Sequence, residues 1–157
     1  MNWFINNREV IKNLAINTGT TQNPVYTPMC TTSELALQVD TEEKDFYVFC
    51  DAIQRSVITG TKLSLNATVK IDMNNAAIVK TLGDIHTLIT NGELAQFNNQ
   101  TIQFELIDDV SGGTLTYIKY NVPAILKLTE IGGAAEDEGE FALEIILNGK
   151  GSVVASS

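Results

Sequence analysis

The sequence is short of the residues on which most protein chemistry depends. Its 157 positions include one histidine, His86, one tryptophan, Trp3, and two cysteines, Cys30 and Cys50. His86 has no second histidine or cysteine at metal-ligand spacing, so a zinc-type centre lacks its ligand set. A Ser-His-Asp group assembles in space and needs no fixed spacing. No nucleophile-elbow pattern is present, however, and His86 reads as a partly buried structural residue beside the apolar stripe of a predicted helix. No glycine-rich loop leads into a helix with a lysine, which removes the usual cradle for nucleotide phosphates. No apolar run approaches the ~20 residues of a membrane span.

Positive charge is scarce as well. Ten Lys and Arg stand against 19 Asp and Glu, for a formal net charge of −9. Residues 1–80 carry seven basic and eight acidic side chains, whereas residues 81–157 carry three and eleven. Binding nucleic acid by neutralising phosphates needs a basic groove, so this chain is not expected to hold DNA or RNA that way, although it can meet a duplex without gripping it. Residues 1–17, MNWFINNREVIKNLAIN, show no basic segment followed by an apolar stretch. No secretory leader is therefore expected, and the chain is expected to be made in a cytosol and to stay reduced. Cys30 and Cys50 sit in apolar stretches, YTPMCTT and DFYVFCDA, and read as buried free thiols.

What the sequence does have is apolar alternation. Hydrophobic residues make up 44% and charged residues 18%, enough to exclude disorder and to close the core of one domain spanning 1–157. In GTKLSLNATVKIDM, Leu63, Leu65, Ala67, Val69 and Ile71 alternate with Lys62, Ser64, Asn66, Thr68 and Lys70. That period of two predicts a long strand with one dry face. Ile78, Leu82, Ile85 and Ile89 then recur at helical spacing, predicting one amphipathic helix over about 74–91 with Asp72 or Asn74 as its cap and Gly92 at its C′ position. Gly83 within it is expected to allow close approach to a sheet. TIQFELI and TLTYIKYNV flank DDVSGG, a hairpin signal; PAILKLTEI and GEFALEIIL supply further strands. The fold class is α+β and mainly β: an antiparallel sandwich or partial barrel of six or more strands flanked by one helix.

Two charged segments interrupt this pattern. QVDTEEKDFY reads as an exposed loop tip, within a connection from Thr31 to Asp51 long enough to be functional or to bind a partner. In GGAAEDEGEF, Glu136, Asp137, Glu138 and Glu140 crowd the approach to a very apolar strand that begins at Phe141. Acids there keep the turn wet and discourage pairing with the wrong edge. DMNNAAIVKTLGD departs from a calcium loop at its sixth and twelfth places, occupied by Ala77 and Gly83. The aromatics Trp3, Phe4, Phe46, Tyr47 and Phe49 read as core or interface anchors, since no basic residues interleave them. No catalytic, metal-binding or cofactor-binding residues are assigned. A chain with many strands and surplus apolar surface suits a polymer, because exposed edges and apolar patches are how copies join.

Residues 45–150, from DFYVFCDAIQRSVITGTKLSLNATVKIDMNNAAIVKTLGDIHTLI through TIQFELIDDVSGGTLTYIKYNVPAILKLTEIGGAAEDEGEFALEIILNGK, resemble the tail tube (major tail) proteins of long-tailed bacteriophages. The shared texture is a long polar/apolar strand, one helix, a hairpin, a strand ending in Gly-Gly, an acidic turn and a last strand closing on NGK. The resemblance implies a structural virion protein without enzymatic activity or cofactor, assembled in the host bacterial cytoplasm and located in the virion tail. It implies self-association into six-membered rings that stack into a tube, with tape-measure, terminator and distal-tail proteins as further partners and no membrane. DNA would pass through without specific binding. The long segment at about 31–56 would contact the neighbouring ring or subunit, with Glu42, Glu43, Asp45, Phe46 and Tyr47 as candidates. Gln103, Glu105, Glu140 and Glu144, polar positions on apolar strands, are the candidates for the channel wall, which is expected to be acidic. Tubes of phage-like bacteriocins and of type VI secretion share this pattern, and a small soluble binding domain with a pocket around His86 is the contrasting reading.

Overall fold

A computed structural model of the chain describes residues 4–20, 22–47, 53–92, 97 and 100–154. The elements are a one-turn helix α1 (Asn7–Val10), β1 (Ile11–Asn17), β2 (Tyr26–Pro28), β3 (Thr32–Phe46), β4 (Arg55–Lys70), α2 (Ala76–Asn91), β5 (Gln100–Ser111), β6 (Thr114–Ile131), β7 (Glu140–Leu147) and β8 (Ser152–Val153). The strands form one sheet in the order β2-β1-β5-β6-β7-β4-β3, with β8 added to β6. Every pairing is antiparallel. The expected mainly β, α+β class is what forms. The sheet curls but does not close, which makes it a partial barrel.

Curling depends on β6. Its first part, Thr114–Ala124, pairs with β5, and its second part, Ala124–Ile131, pairs with β7 on the other side. One strand therefore carries the sheet around a corner. Its alternation is unbroken through that corner: Val122, Ala124 and Leu126 are buried, whereas Lys119, Asn121, Pro123, Ile125 and Lys127 face the other way. A strand of period two can serve one face only while no residue is added, so the register holds the core on a single side.

That core collects Leu14 and Ile16 from β1, Leu65 and Val69 from β4, Ile102 and Phe104 from β5, and Phe141 and Ile145 from β7. Helix α2 covers it with Ala77, Ile78 and Thr81. The helix is capped by Asn75, not by Asp72 or Asn74, the two caps read from the sequence. Asn75, with extended backbone, accepts from the N–H groups of Ala77 and Ile78, while Asp72 accepts from the Asn74 N–H with its side chain and from the Asn75 N–H with its carbonyl, both ahead of the helix. Gly92 ends α2 in the left-handed conformation, as expected of a C′ glycine, and its N–H donates to the Leu88 carbonyl. Gly83 differs from expectation: it is exposed, with nothing within 4 Å of where a Cβ would stand. His86 is exposed rather than partly buried, and Ile89 is turned to solvent, because the helix buries only the stripe nearer its N-terminus. Cys30 is exposed too, since the chain turns out of the core between Met29 and Thr32; Cys50 lies outside the described residues. Among the described residues no helix is long and apolar enough to cross a membrane.

The hairpin expected at DDVSGG is present and extends as far as Gln100 and Ala124. Its turn places Gly112 and Gly113 at φ 58° and 81°, the pair of positive values that a two-residue turn between right-twisted strands demands.

Candidate assembly surfaces

Of the segment read as a long loop at 31–56, Thr32–Phe46 is strand β3 and Arg55 already begins β4; residues 48–52 lie outside the described residues. Residues Glu34–Phe46 of β3 pair with Arg55–Thr68 of β4, across a bulge between Glu42 and Glu43. Acid-rich sequence disguised it, since Asp and Glu are poor strand formers unless a partner strand supplies the ladder. The ladder here runs far beyond the body of the sheet. β4 meets β7 only from Ser64 to Lys70, so the part from Arg55 to Leu63 is supported by β3 alone and the two strands project as a ribbon. All described residues from Gln38 to Tyr47 are exposed, including Glu42, Glu43, Asp45, Phe46 and Tyr47. The ribbon also exposes Val39, Val57 and Ile58. Phe46 and Tyr47 are thus not core residues, and Phe4 is fully out in solvent; Trp3 and Phe49 lie outside the described residues.

A second surface is the polar side of the sheet. Register places Glu105 opposite Lys119 and Lys12, Gln103 opposite Asn121, and Glu144 between Lys127 and Asn66. Gln103, Glu105, Glu140 and Glu144 therefore share one continuous face, opposite the buried side. Sequence reading missed their partners. Glu105 lies 3.8 Å from Lys119, Glu144 lies 3.9 Å from Lys62 and 3.8 Å from Lys127, and Glu140 lies 3.0 Å from Lys70. Asn13 Nδ2 donates to Glu105 Oε2 at 2.6 Å, and Gln103 Nε2 donates to the Asn121 side chain. Three glutamates meeting four lysines make a face that is balanced, not acidic. Glu140, reinforced by Glu138 and Asp137, raises the Lys70 ammonium above its usual range. The chain's acid excess lies elsewhere, on the exposed turn at Glu136, Asp137 and Glu138 and on the ribbon. A lysine at every fourth or so polar position, Lys62 and Lys70 in one strand and Lys119 and Lys127 in another, was the available signal; only the register says which glutamate each meets.

The turn itself matches the sequence reading. Residues 132–139 are all exposed, and Gly139 gives its carbonyl to the Ile71 N–H, which tethers the wet turn to the end of β4. Among the described residues no group of three His, Cys, Asp or Glu is placed to hold a metal ion.

No protein-family model and no curated relative matches the sequence. The fold has clear counterparts. A chain in the tail of an empty gene transfer agent particle, with C6 symmetry, superposes with a TM-score of 0.59 at 12% identity, covering 97% of this chain and 100% of that one. The fold is tail-tube-like. A chain in the virion of the native gene transfer agent particle gives a TM-score of 0.56 at 13% identity, again covering 97% and 100%. A chain in the sheath–tube complex of an extracellular contractile injection system, in the extended state, gives 0.54 at 11% identity, covering 98% and 93%. Coverage is nearly complete in both directions, so the tail-tube fold accounts for the body of the sheet and the ribbon together.

Proposed function

We propose that this protein is a non-enzymatic structural subunit of a tail tube, that copies join through sheet edges and ribbon into six-membered rings, and that the rings stack around a channel in the tail of a virion or virion-like particle. The observation that carries the reading is the ribbon: a two-stranded extension without a core, lined with apolar side chains, on a sheet whose margins are open. An isolated hairpin is marginal in water, and exposed strand edges invite pairing with another chain. The likeness to chains of six-fold particles supports the ring number.

With α2 and the core on one side of the sheet, edge-to-edge joining would turn the opposite face, with Gln103, Glu105, Glu140 and Glu144, toward the channel. Paired lysines and glutamates would present little net charge to a passing duplex. Since grip on DNA comes from unpaired cations that displace counterions from phosphates, such a wall would let a duplex slide without holding it. Tape-measure, terminator and distal-tail proteins would be the further partners, and assembly would occur in the host bacterial cytoplasm. The likeness extends to an injection-system tube as well as to gene transfer agent particles, and a bacteriocin or secretion tube would share all of this except the cargo.

Negative-stain microscopy of the purified protein tests assembly: rings or tubes are expected, and a monomer that persists at high concentration would instead indicate a small binding domain. The wall is tested on assembled tubes with duplex DNA. Wild-type tubes should not retain DNA, whereas Glu105→Lys/Glu144→Lys tubes should retain it at low salt and release it as salt rises. Equal retention by both would remove these residues from the channel.

A further inference from the structure

The sequence has two Asn-Gly pairs, Asn91-Gly92 at the end of α2 and Asn148-Gly149 in the NGK that follows β7. Asparagine is among the chemically labile residue types, and it is most labile before glycine, where no Cβ shields the next amide nitrogen. All four residues are exposed, so exposure does not distinguish the pairs. The glycine N–H does. At the helix end the Gly92 N–H donates to the Leu88 carbonyl at 2.9 Å, and helical backbone through Asn91 fixes the peptide that follows it. Neither the Gly149 N–H nor the Asn148 carboxamide makes a hydrogen bond among the described residues. The cause lies in β6. Pro123 accepts from the Asn148 N–H at 2.8 Å but has no N–H to return, so the ladder that joins β7 to β6 stops there.

Pairing resumes at β8, where Ser152 and Val153 lie opposite Asn121 and Tyr120 and the Val154 N–H donates to the Lys119 carbonyl at 2.8 Å. The link between these anchors lies close on β6: a Cβ on Gly149 would stand 3.4 Å from Pro123, and one on Gly151 would stand 3.0 Å from Val122. We propose that Asn148 is a self-modification site, at which the folded chain converts asparagine to aspartate and isoaspartate and thereby loosens the β8 clasp. The Gly149 nitrogen, once base removes its proton, bonds to Asn148 Cγ; the Cγ–Nδ2 bond breaks and the amide leaves as ammonia. Water then opens the cyclic imide. Opening at Cγ gives aspartate, whereas opening at the main-chain carbonyl gives isoaspartate, whose chain runs through Cβ and Cγ. Both place a carboxylate where a neutral amide stood. Isoaspartate also adds one backbone atom to a link fixed at both ends, which releases the weaker anchor, the two-residue β8. The reaction needs only water and base, runs one way and does not depend on the tube reading.

Purified full-length protein, folded and in denaturant, is held at mildly alkaline pH and its peptides are mapped by mass spectrometry at intervals. In denaturant the two asparagines should convert at comparable rates. In the folded protein Asn148 should convert roughly tenfold faster than Asn91, whose conversion must first open the helix end. Equal rates in the folded protein, or an Asn148 that stays intact there while it converts in denaturant, would overturn the site. The clasp is read by hydrogen exchange. In the isoaspartate fraction, isolated by chromatography, the Val154 N–H should lose protection, while Asn148→Gln protein aged in parallel should keep it. Equal protection in the two would overturn the loosening of β8.

Discussion

The two halves of β4 obey different rules. From Ser64 to Lys70 the strand has neighbours on both sides, β3 and β7, and Leu65 and Val69 are 0% exposed. From Arg55 to Leu63 it has β3 alone, and Val57 and Ile58 are 49% and 62% exposed. The sequence has β-branched and apolar residues in both halves, so the difference comes from what lies beside the strand. In the packed half apolar area is removed from water within one molecule; in the ribbon the same kind of area is left for a partner, since a lone subunit gains nothing from displaying it.

This contrast is broken most readily by large-to-small substitutions. Leu65→Ala should cost roughly 2–5 kcal/mol of folding stability, the lost burial plus the cavity that close packing cannot refill. Ile58→Ala should change the stability of the isolated subunit by no more than about 0.5 kcal/mol. Denaturant unfolding of both variants at low protein concentration decides the matter, and comparable losses would mean that the ribbon is integral to the monomer fold.

Assembly should rank the two regions the other way. Tyr47→Asp/Ile58→Asp leaves the core untouched, so its melting temperature as a monomer should match the wild type. Buried charge at a contact is costly when unpaired, and the concentration needed for polymerisation should rise at least tenfold, on the order of 1.4 kcal/mol per tenfold step. Light scattering against protein concentration measures this, and an unchanged onset would remove the ribbon from the interface.

A smaller effect is expected where α2 meets the packed half. Asn75 accepts from the N–H groups of Ala77 and Ile78, and its Nδ2 donates to the Pro28 carbonyl at 2.9 Å, joining the helix start to β2. Asn75→Ala should cost about 1 kcal/mol. Asp72→Ala and Asn74→Ala should cost less, because neither accepts from the helix's own first turn. A thermal-unfolding series of the three variants separates them.

How far the sequence reveals these regions follows from the range of the interactions. The dry face of Leu65, Ala67 and Val69, the Gly112-Gly113 turn and the Gly92 cap are local patterns, and each is where it was expected. The ribbon reads as a loop because nothing in Thr41-Glu42-Glu43-Lys44-Asp45 alternates; its order comes from the β4 residues Ser56, Val57, Ile58, Gly60 and Thr61, which face it in the ladder. The cap at Asn75 rather than Asp72 or Asn74 is a choice among neighbours made by backbone direction. Alternation alone sets Gln103, Glu105, Glu140 and Glu144 on the side of their strands away from the core, but their lysine partners depend on strand register, so the sequence does not show that Glu105 meets Lys119 or that Glu144 meets Lys62 and Lys127.

The faintest effect is at the boundary of the packed half, where Lys70 ends β4 opposite Glu140. Glu140 raises the Lys70 ammonium above 10.5, first by hydrogen bonding and then by its charge. A base whose folded pKa lies above its unfolded value contributes stability that is whole below the unfolded pKa and is lost as pH rises through the folded one. The wild type should therefore exceed Glu140→Gln by a small constant amount through neutral pH, and the gap should close only above 10.5. Tyr26 bears on the same alkaline limb with the same sign: burial in β2 raises its phenol above 10.0, so ionisation opposes the folded state as pH passes that value. Because Tyr26 is common to both proteins, the difference between them isolates Lys70. Denaturant midpoints of the pair across the alkaline range measure it. A gap that persisted unchanged well above 10.5 would mean that Glu140 acts through the wet turn and its tether to Ile71 rather than through the lysine.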